Sequence, residues 1–409
     1  MKRVASRLVP LQEQAQLPDP LSYNLLTPAQ IRFGWGRRRE VGELAHSLGR
    51  RAFVVTGSRT LRRSGVLKEL SERLIAAHVE PVDVGEVHHE PEVADVDKLV
   101  EKMRLQQAGG GDMVLAVGGG SAIDLAKAAA ALVTNSSAGD SVQDFLEGVG
   151  RGLTISTRPL PMLAMPTTAG TGSEATKNAV ISSYDPPFKK SLRSDAMVPD
   201  VVLIDPELTT TVPPTTTAYT GMDAITQLIE SYISRRAQPI PQALALDGLK
   251  LAVAAITDAV DNGNTRWARE AMSHAALLSG MALANSGLGM AHGVAAALGV
   301  HCRVPHGLAC AVMLPVAMYT NRDAARADLE AIGRAIVDDH LRGTDAVAAA
   351  IERIEELCAA VQIPKTLTEI GVRAEQIPGI VDSSRGNSMS GNPRELSDVE
   401  LTAILEGIL

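Results

Sequence analysis

This sequence predicts an α/β half with a parallel sheet, followed by an all-helical half. Two observations carry the prediction. Up to about residue 206, short apolar runs alternate with helix-like stretches; beyond it, long segments repeat Ala, Leu and Met at helical spacing without a strand-like run. A third is length: 409 residues exceed one ordinary core, so two domains are expected, 1–206 and 207–409.

Residues 1–30 mix Pro, Gln and Ser without a period and read as an N-terminal extension or an edge strand. Arg51–Thr56 (RAFVVT) has strand length and leads through a Gly-Ser turn into a helix-like stretch ending near Ala77. Residues 113–117 (MVLAV) form a second apolar run, which ends in three glycines and opens an alanine-rich helix from Ala122. Residues 162–165 and Val201–Ile204 are two more short runs bounded by Pro. Strands alternating with helices imply a parallel sheet covered on both faces. In the second half, helices are expected over residues 216–234, 241–260, 266–286 and 290–298.

Composition excludes several classes. The net charge of −8 and the lack of a long Lys/Arg block argue against nucleic acid or an acidic membrane as partner. Lys2, Arg3 and Arg7 have no apolar stretch behind them, which argues against secretion, and no run reaches membrane-spanning length. A soluble, cytoplasmic protein is expected. Aromatics make up 3% of the chain, so Ala, Leu, Val, Ile and Met must build the core. Cys302, Cys310 and Cys358 form no CxxC pair and read as free, buried thiols.

Two loops suit a nucleotide. Gly118, Gly119, Gly120 and Ser121 follow a strand and open a helix, so a pyrophosphate can approach the backbone and meet free N–H groups of the first turn. A tight turn needing glycine for geometry alone would look the same. Asp124 and Lys127, one turn later, read either as part of this site or as a surface ion pair. The second loop, residues 166–174 (PTTAGTGSE), offers hydroxyls and unhindered backbone donors for phosphate and ribose. Both lie at strand C-termini, the edge where open α/β sheets bind ligands.

The helical half holds candidate metal ligands. The segment GMDAITQLIES puts Asp223 and Gln227 on one helix face at i, i+4, while GMAHG and VPHG supply His292 and His306. One carboxylate and two imidazoles suffice for a catalytic divalent cation with open positions. Each histidine alone is more often a core or surface residue, as His274, His301 and His340 illustrate.

Together these pieces resemble the iron-containing (group III) alcohol dehydrogenase family. The likeness rests on FGWGRRREVGELAHSLGRRAFVVTGS, GGGSAIDLAKAAA, PTTAGTGSEAT, KKSLRSDAMVPDVVLIDPELT, GMDAITQLIESY, GLGMAHGVAAALG, VPHGLACAVMLP and GNPREL, running from about Ile31 to the C-terminus. The resemblance implies a nucleotide-binding domain and a helical domain with cofactor and metal in the cleft between them, and a homodimer. It assigns Gly119, Gly120 and Ser121 to the pyrophosphate and Thr167, Thr168 and Thr171 to the cofactor lining. It puts Lys189 near the nicotinamide ribose, and the Fe(II) or Zn(II) ligands on Asp223, Gln227, His292 and His306.

Two departures matter. Iron-binding members usually carry His where this chain has Gln227, and an amide oxygen is a harder, weaker donor. Many members also carry a His where this chain has Ala296, one turn after His292, as a proton-transfer candidate. The implied reaction moves hydride between a nicotinamide cofactor and a small alcohol or aldehyde. The cation acts as a Lewis acid on the substrate oxygen.

Cofactor choice turns on Gly57 and Ser58, at the end of the first strand. NAD-preferring members typically have Asp at the position of Gly57; here Gly57 would leave room, and Arg59, Arg62 or Arg63 would pair with a 2′-phosphate, which favours NADP over NAD. Those arginines read equally as ordinary solvated helix residues. A metal-independent reductase resembling maleylacetate reductase, and a non-catalytic nucleotide-binding protein, are the alternatives. A dehydroquinate-synthase-like enzyme would need a Lys/Arg cluster that the helical half lacks near Asp223 or His292.

Overall fold

A computed structural model describes residues 23–57, 59–137 and 139–409; residues 1–22 of the expected extension and Ser58 lie outside them. The α/β half begins with β1 (Gln30–Phe33), α1 (Val41–Leu48), β2 (Arg51–Thr56), α2 (Arg59–Arg63), α3 (Val66–Ala76), β3 (Glu80–Glu86), α4 (Val93–Leu105), β4 (Asp112–Gly118) and α5 (Gly120–Asn135). It continues through β5 (Met162–Pro166), β6 (Asn178–Tyr184), β7 (Pro187–Arg193) and β8 (Val201–Ile204). Six strands form one parallel sheet in the order β1-β8-β5-β4-β2-β3, and β6 and β7 pair as a separate antiparallel hairpin.

The four strands expected from apolar runs are all present. Two kinds of strand escape the pattern. β1 and β3 are the two edges of the sheet, and β3 (EPVDVGE) carries acidic residues, Pro and Gly that a central strand would not tolerate. The hairpin strands β6 and β7 are largely polar.

β4 is buried at every residue, as a strand covered on both faces must be. Its register aligns Thr56 with Val117 and Gly118 with Pro166, so β2, β4 and β5 end together and their following loops adjoin.

Beyond β8 the chain is helical: α6 (Pro214–Ile233), α7 (Pro239–Asp261), α8 (Arg266–Asn285), α9 (Met290–Cys302), α10 (His306–Asn321), α11 (Arg326–Ile336), α12 (Gly343–Ala360), α13 (Ile377–Ser383) and α14 (Asp398–Glu406). Their core is aliphatic, with Met222, Leu228, Ile229, Leu298 and Leu314 fully buried. The two halves meet where Gly172, at φ 57°, lies against Gly280 of α8. A Cβ at Gly280 would stand 2.1 Å from the Gly172 carbonyl oxygen, so only glycine permits this approach. No single helix among the described residues is long and apolar enough to cross a membrane.

Candidate active site

Three loops close one end of the sheet. Gly57 donates its N–H to the Val117 carbonyl at 3.1 Å, and Thr167 donates to the Gly118 carbonyl at 2.9 Å. A Cβ at Gly119 would stand 3.1 Å from Thr168 Oγ1, and one at Gly120 would stand 2.6 Å from Thr171 Oγ1. Glycine at position 120 is therefore required for Thr171 to reach the start of α5, and a side chain at 119 would crowd Thr168. Gly119 occupies the N-cap of α5 and no side chain caps it, which leaves the helix end fit for an anion. The structure thus brings Gly57, Gly118, Gly119, Gly120, Ser121, Thr167, Thr168 and Thr171 to one place.

Several expectations about this end are corrected. Asp124 and Lys127 form no surface pair, and Asp124 is engaged by protein groups. The two are buried 3.1 Å apart. The Asp124 carboxylate accepts from Ser173 Oγ and from the Val180 N–H at 3.0 Å, while Lys127 Nζ donates to the Ser173 carbonyl at 2.8 Å. Both brace the Thr171–Ser173 turn from behind. A Cβ at Gly57 would stand 3.0 Å from Ala122 Cβ and 3.2 Å from Gly118 Cα, so a larger residue here would crowd the adjoining glycine loop. Of the arginines, Arg62 pairs with Asp83 at 2.9 Å and Arg59 contacts His88 at 3.4 Å, both solvent-exposed.

The second cluster lies where α6, α9 and α10 meet. His292 sits in the first turn of α9 and His306 begins α10. His292 Nε2 lies 3.3 Å from Asp223 Oδ1, and His306 Nε2 lies 3.8 Å from the same oxygen. On the far side of its ring, His292 Nδ1 donates to Glu230 Oε2 at 2.7 Å. Glu230 also accepts from the Ala291 N–H at 2.6 Å and is 2% exposed. With the proton held on Nδ1, the Nε2 lone pair faces a carboxylate oxygen. That arrangement suits a cation held between the two, Nε2 and the carboxylate oxygen both acting as donors to it.

Electrostatics agree. Burial would raise the Asp223 carboxyl, yet the His306 and His292 imidazoles beside it hold it below the usual carboxylate value. Burial, reinforced by Lys189, pushes His306 down to about 4, so its ring is neutral and able to coordinate. Its Nδ1 is buried without a hydrogen-bond partner.

The structure departs from expectation at Gln227. Its carbonyl oxygen accepts from Ser279 Oγ at 2.9 Å, and its amide donates to the Thr171 carbonyl at 3.1 Å. Through these two bonds the amide ties the PTTAGTGSE loop to α8. Lys189 forms a 2.8 Å ion pair with Glu90, close enough to His306 to lower its basicity. Ala296 lies on α9 one turn beyond His292 and contributes no titratable group.

Two residues were missed. Cys310, read as a bland buried thiol, has its Sγ 3.7 Å from His306 Nε2, and the donor atoms of Asp223, His292, His306 and Cys310 all lie within 4.8 Å of one another. Its i, i+4 spacing from His306 was the available signal. Glu230 was missed although it lies seven residues, two helical turns, after Asp223 on α6.

Residues 28–206 match the family profile described as iron-containing alcohol dehydrogenase, and residues 217–409 match the C-terminal profile of the same family. A sulfoacetaldehyde reductase of Bilophila wadsworthia is 34% identical over 93% of this chain and 97% of its own length. An NADPH-dependent butanol dehydrogenase of Clostridium saccharobutylicum is 32% identical over 93% and 96%. The crystal structure of a sulfoacetaldehyde reductase from Bifidobacterium kashiwanohense in complex with NAD+ superposes with a TM-score of 0.84 at 30% identity, covering 95% of this chain and 99% of that one.

Proposed function

The chain belongs to the iron-containing alcohol dehydrogenase family, and on that premise we propose that its cleft oxidises a small alcohol, or reduces the matching aldehyde, with Asp223, His292 and His306 holding the cation. The observation that carries this is the convergence of those three side chains, at 3.3 and 3.8 Å, around one carboxylate oxygen. The donor set fits Fe(II) or Zn(II): two neutral imidazole nitrogens and one anionic oxygen. When bound, the cation acts as a Lewis acid on the substrate oxygen and the nicotinamide accepts or delivers hydride.

The chain's own residues do the rest. Gly118, Gly119, Gly120 and Ser121 receive the pyrophosphate at the α5 N-terminus, and Thr167, Thr168 and Thr171 line the nucleotide path. Glu230 holds the His292 proton on Nδ1 so that Nε2 stays a donor. Asp223 supplies the single negative charge that offsets the dication. The Glu90–Lys189 pair stands within electrostatic reach of His306.

The substrate is a small alcohol or aldehyde. The active form is taken as a cytoplasmic homodimer, independent of nucleic acid and membrane. Gly57 in place of a carboxylate favours NADP over NAD, since this position itself carries no negative charge to repel a 2′-phosphate.

Purified protein reconstituted anaerobically with Fe(II) or Zn(II) should consume NADPH with a panel of short aldehydes, faster than NADH. Sedimentation should give twice the chain mass. No turnover with any aldehyde, ketone or alcohol under metal-replete conditions would overturn the reading. A clear preference for NADH would overturn the cofactor assignment alone.

A further inference from the structure

We infer that Cys310 is a fourth protein donor to the cation, so that the centre is an Asp/His/His/Cys site. This rests on the proposed metal-dependent reading and adds a ligand to it. Two packed helices each present a pair of residues four apart. On α6 the pair is Asp223 and Gln227; on α10 it is His306 and Cys310. The Gln227 amide is already engaged by Thr171 and Ser279. The other three side chains face one another.

The distances fit a single cation. Bonds of about 2.0–2.3 Å meeting at tetrahedral angles hold donor atoms about 3.3–3.6 Å apart. The observed separations are 3.3 Å for Asp223–His292, 3.8 Å for Asp223–His306 and 3.7 Å for His306–Cys310. Cys310 is fully buried, and the sulfur has no acceptor or donor partner outside this cluster among the contacts described. A cation deprotonates a thiol that coordinates it, the proton passing to buffer. The thiolate then supplies the charge and polarisability lost where an amide stands in place of an imidazole. A soft sulfur donor favours Zn(II) or Co(II) over Mn(II) and Mg(II). With four protein donors, a substrate oxygen would join as a fifth ligand, an expansion that some catalytic zinc sites undergo.

The test is spectroscopic and stoichiometric, using the full chain stripped with chelator and reloaded with Co(II) or Zn(II). Native protein should show a near-ultraviolet thiolate-to-Co(II) charge-transfer band, and Cys310→Ser, which preserves size, should lack it. Cys310→Ser and Cys310→Ala should both bind Zn(II) more weakly, by about tenfold or more, a loss at least as large as removing a group that merely orients a ligand. Gln227→Ala should keep both the band and the affinity.

A native protein that binds Co(II) without the band, with Cys310→Ser and Cys310→Ala retaining native affinity, would overturn the Cys310 assignment while the Asp223/His292/His306 site stands. Loss of binding in Asp223→Ala shows that the site itself is right. Retention of metal in Asp223→Ala, or no binding by the native chain, would overturn the site and the Cys310 assignment together.

Discussion

Glu230 shows how much of this site depends on a single carboxylate out of reach of the substrate. Its oxygens fix the proton of His292 and accept from the first N–H groups of α9, which orients that imidazole towards Asp223. Such partners typically matter about 10- to 100-fold in metal affinity. Glu230→Gln keeps the volume but removes the charge, so Zn(II) affinity measured by chelator competition should fall about tenfold. Unchanged affinity would show that α9 packing alone orients His292. Gln227, chemically the most conspicuous departure in the sequence, has instead a tethering contact to Thr171 and Ser279.

At the scale of elements, the cleft depends on backbone approaching backbone. The PTTAGTGSE loop reaches α8 only because Gly172 and Gly280 both lack side chains. In Gly280→Ala the new methyl would stand 2.1 Å from the Gly172 carbonyl oxygen, so the loop must move. Overpacking of this kind costs about 1–3 kcal/mol. Displacing Thr171 from the α5 N-terminus should also raise the cofactor Kd several-fold, read by titrating NADPH fluorescence. Gly110→Ala, with nothing within 4 Å of the added carbon, serves as the control and should change neither quantity. Equal cofactor affinity in Gly280→Ala would mean that the loop does not depend on this contact.

For the whole molecule, one buried carboxyl sets a pH dependence of folding. Glu174, at the end of the PTTAGTGSE loop, is 3% exposed, and burial pushes its carboxyl up to about 7 from an ordinary 4.5. The folded state therefore holds this proton more tightly than the unfolded chain does. Its contribution to stability is fully present below about 4.5 and is lost as pH rises through about 7, a loss on the order of 3 kcal/mol. Glu174→Gln removes that loss. Across pH 5 to 8 the variant's Tm should gain on the native protein's by a few degrees, measured by calorimetry at matched ionic strength. Parallel curves would show that Glu174 does not titrate in this range.

The sequence by itself determined the division into an α/β half and a helical half, because strand and helix periods are local and written in consecutive residues. RAFVVT and VVLI appear in the structure with the bounds read from the chain. The glycine loops at strand ends and Asp223, His292 and His306 are also legible as short motifs, and the structure brings the last three side chains together. The tertiary structure decided what depends on residues far apart. Asp124 and Lys127 look like a surface pair one helical turn apart, but they are buried because the Ser173–Asn178 segment folds over them. Gly57 looks like a free choice at a strand end, yet a side chain there would run into Ala122 and Gly118 of the neighbouring glycine loop. The surroundings of Gln227 and Cys310 are likewise set by packing. Thr171 and Ser279 engage the amide, and a helix crossing brings the sulfur to Asp223 and His292. Hydrogen-bond partners and donor distances are set by the packing of separate elements, and no period along the chain encodes them.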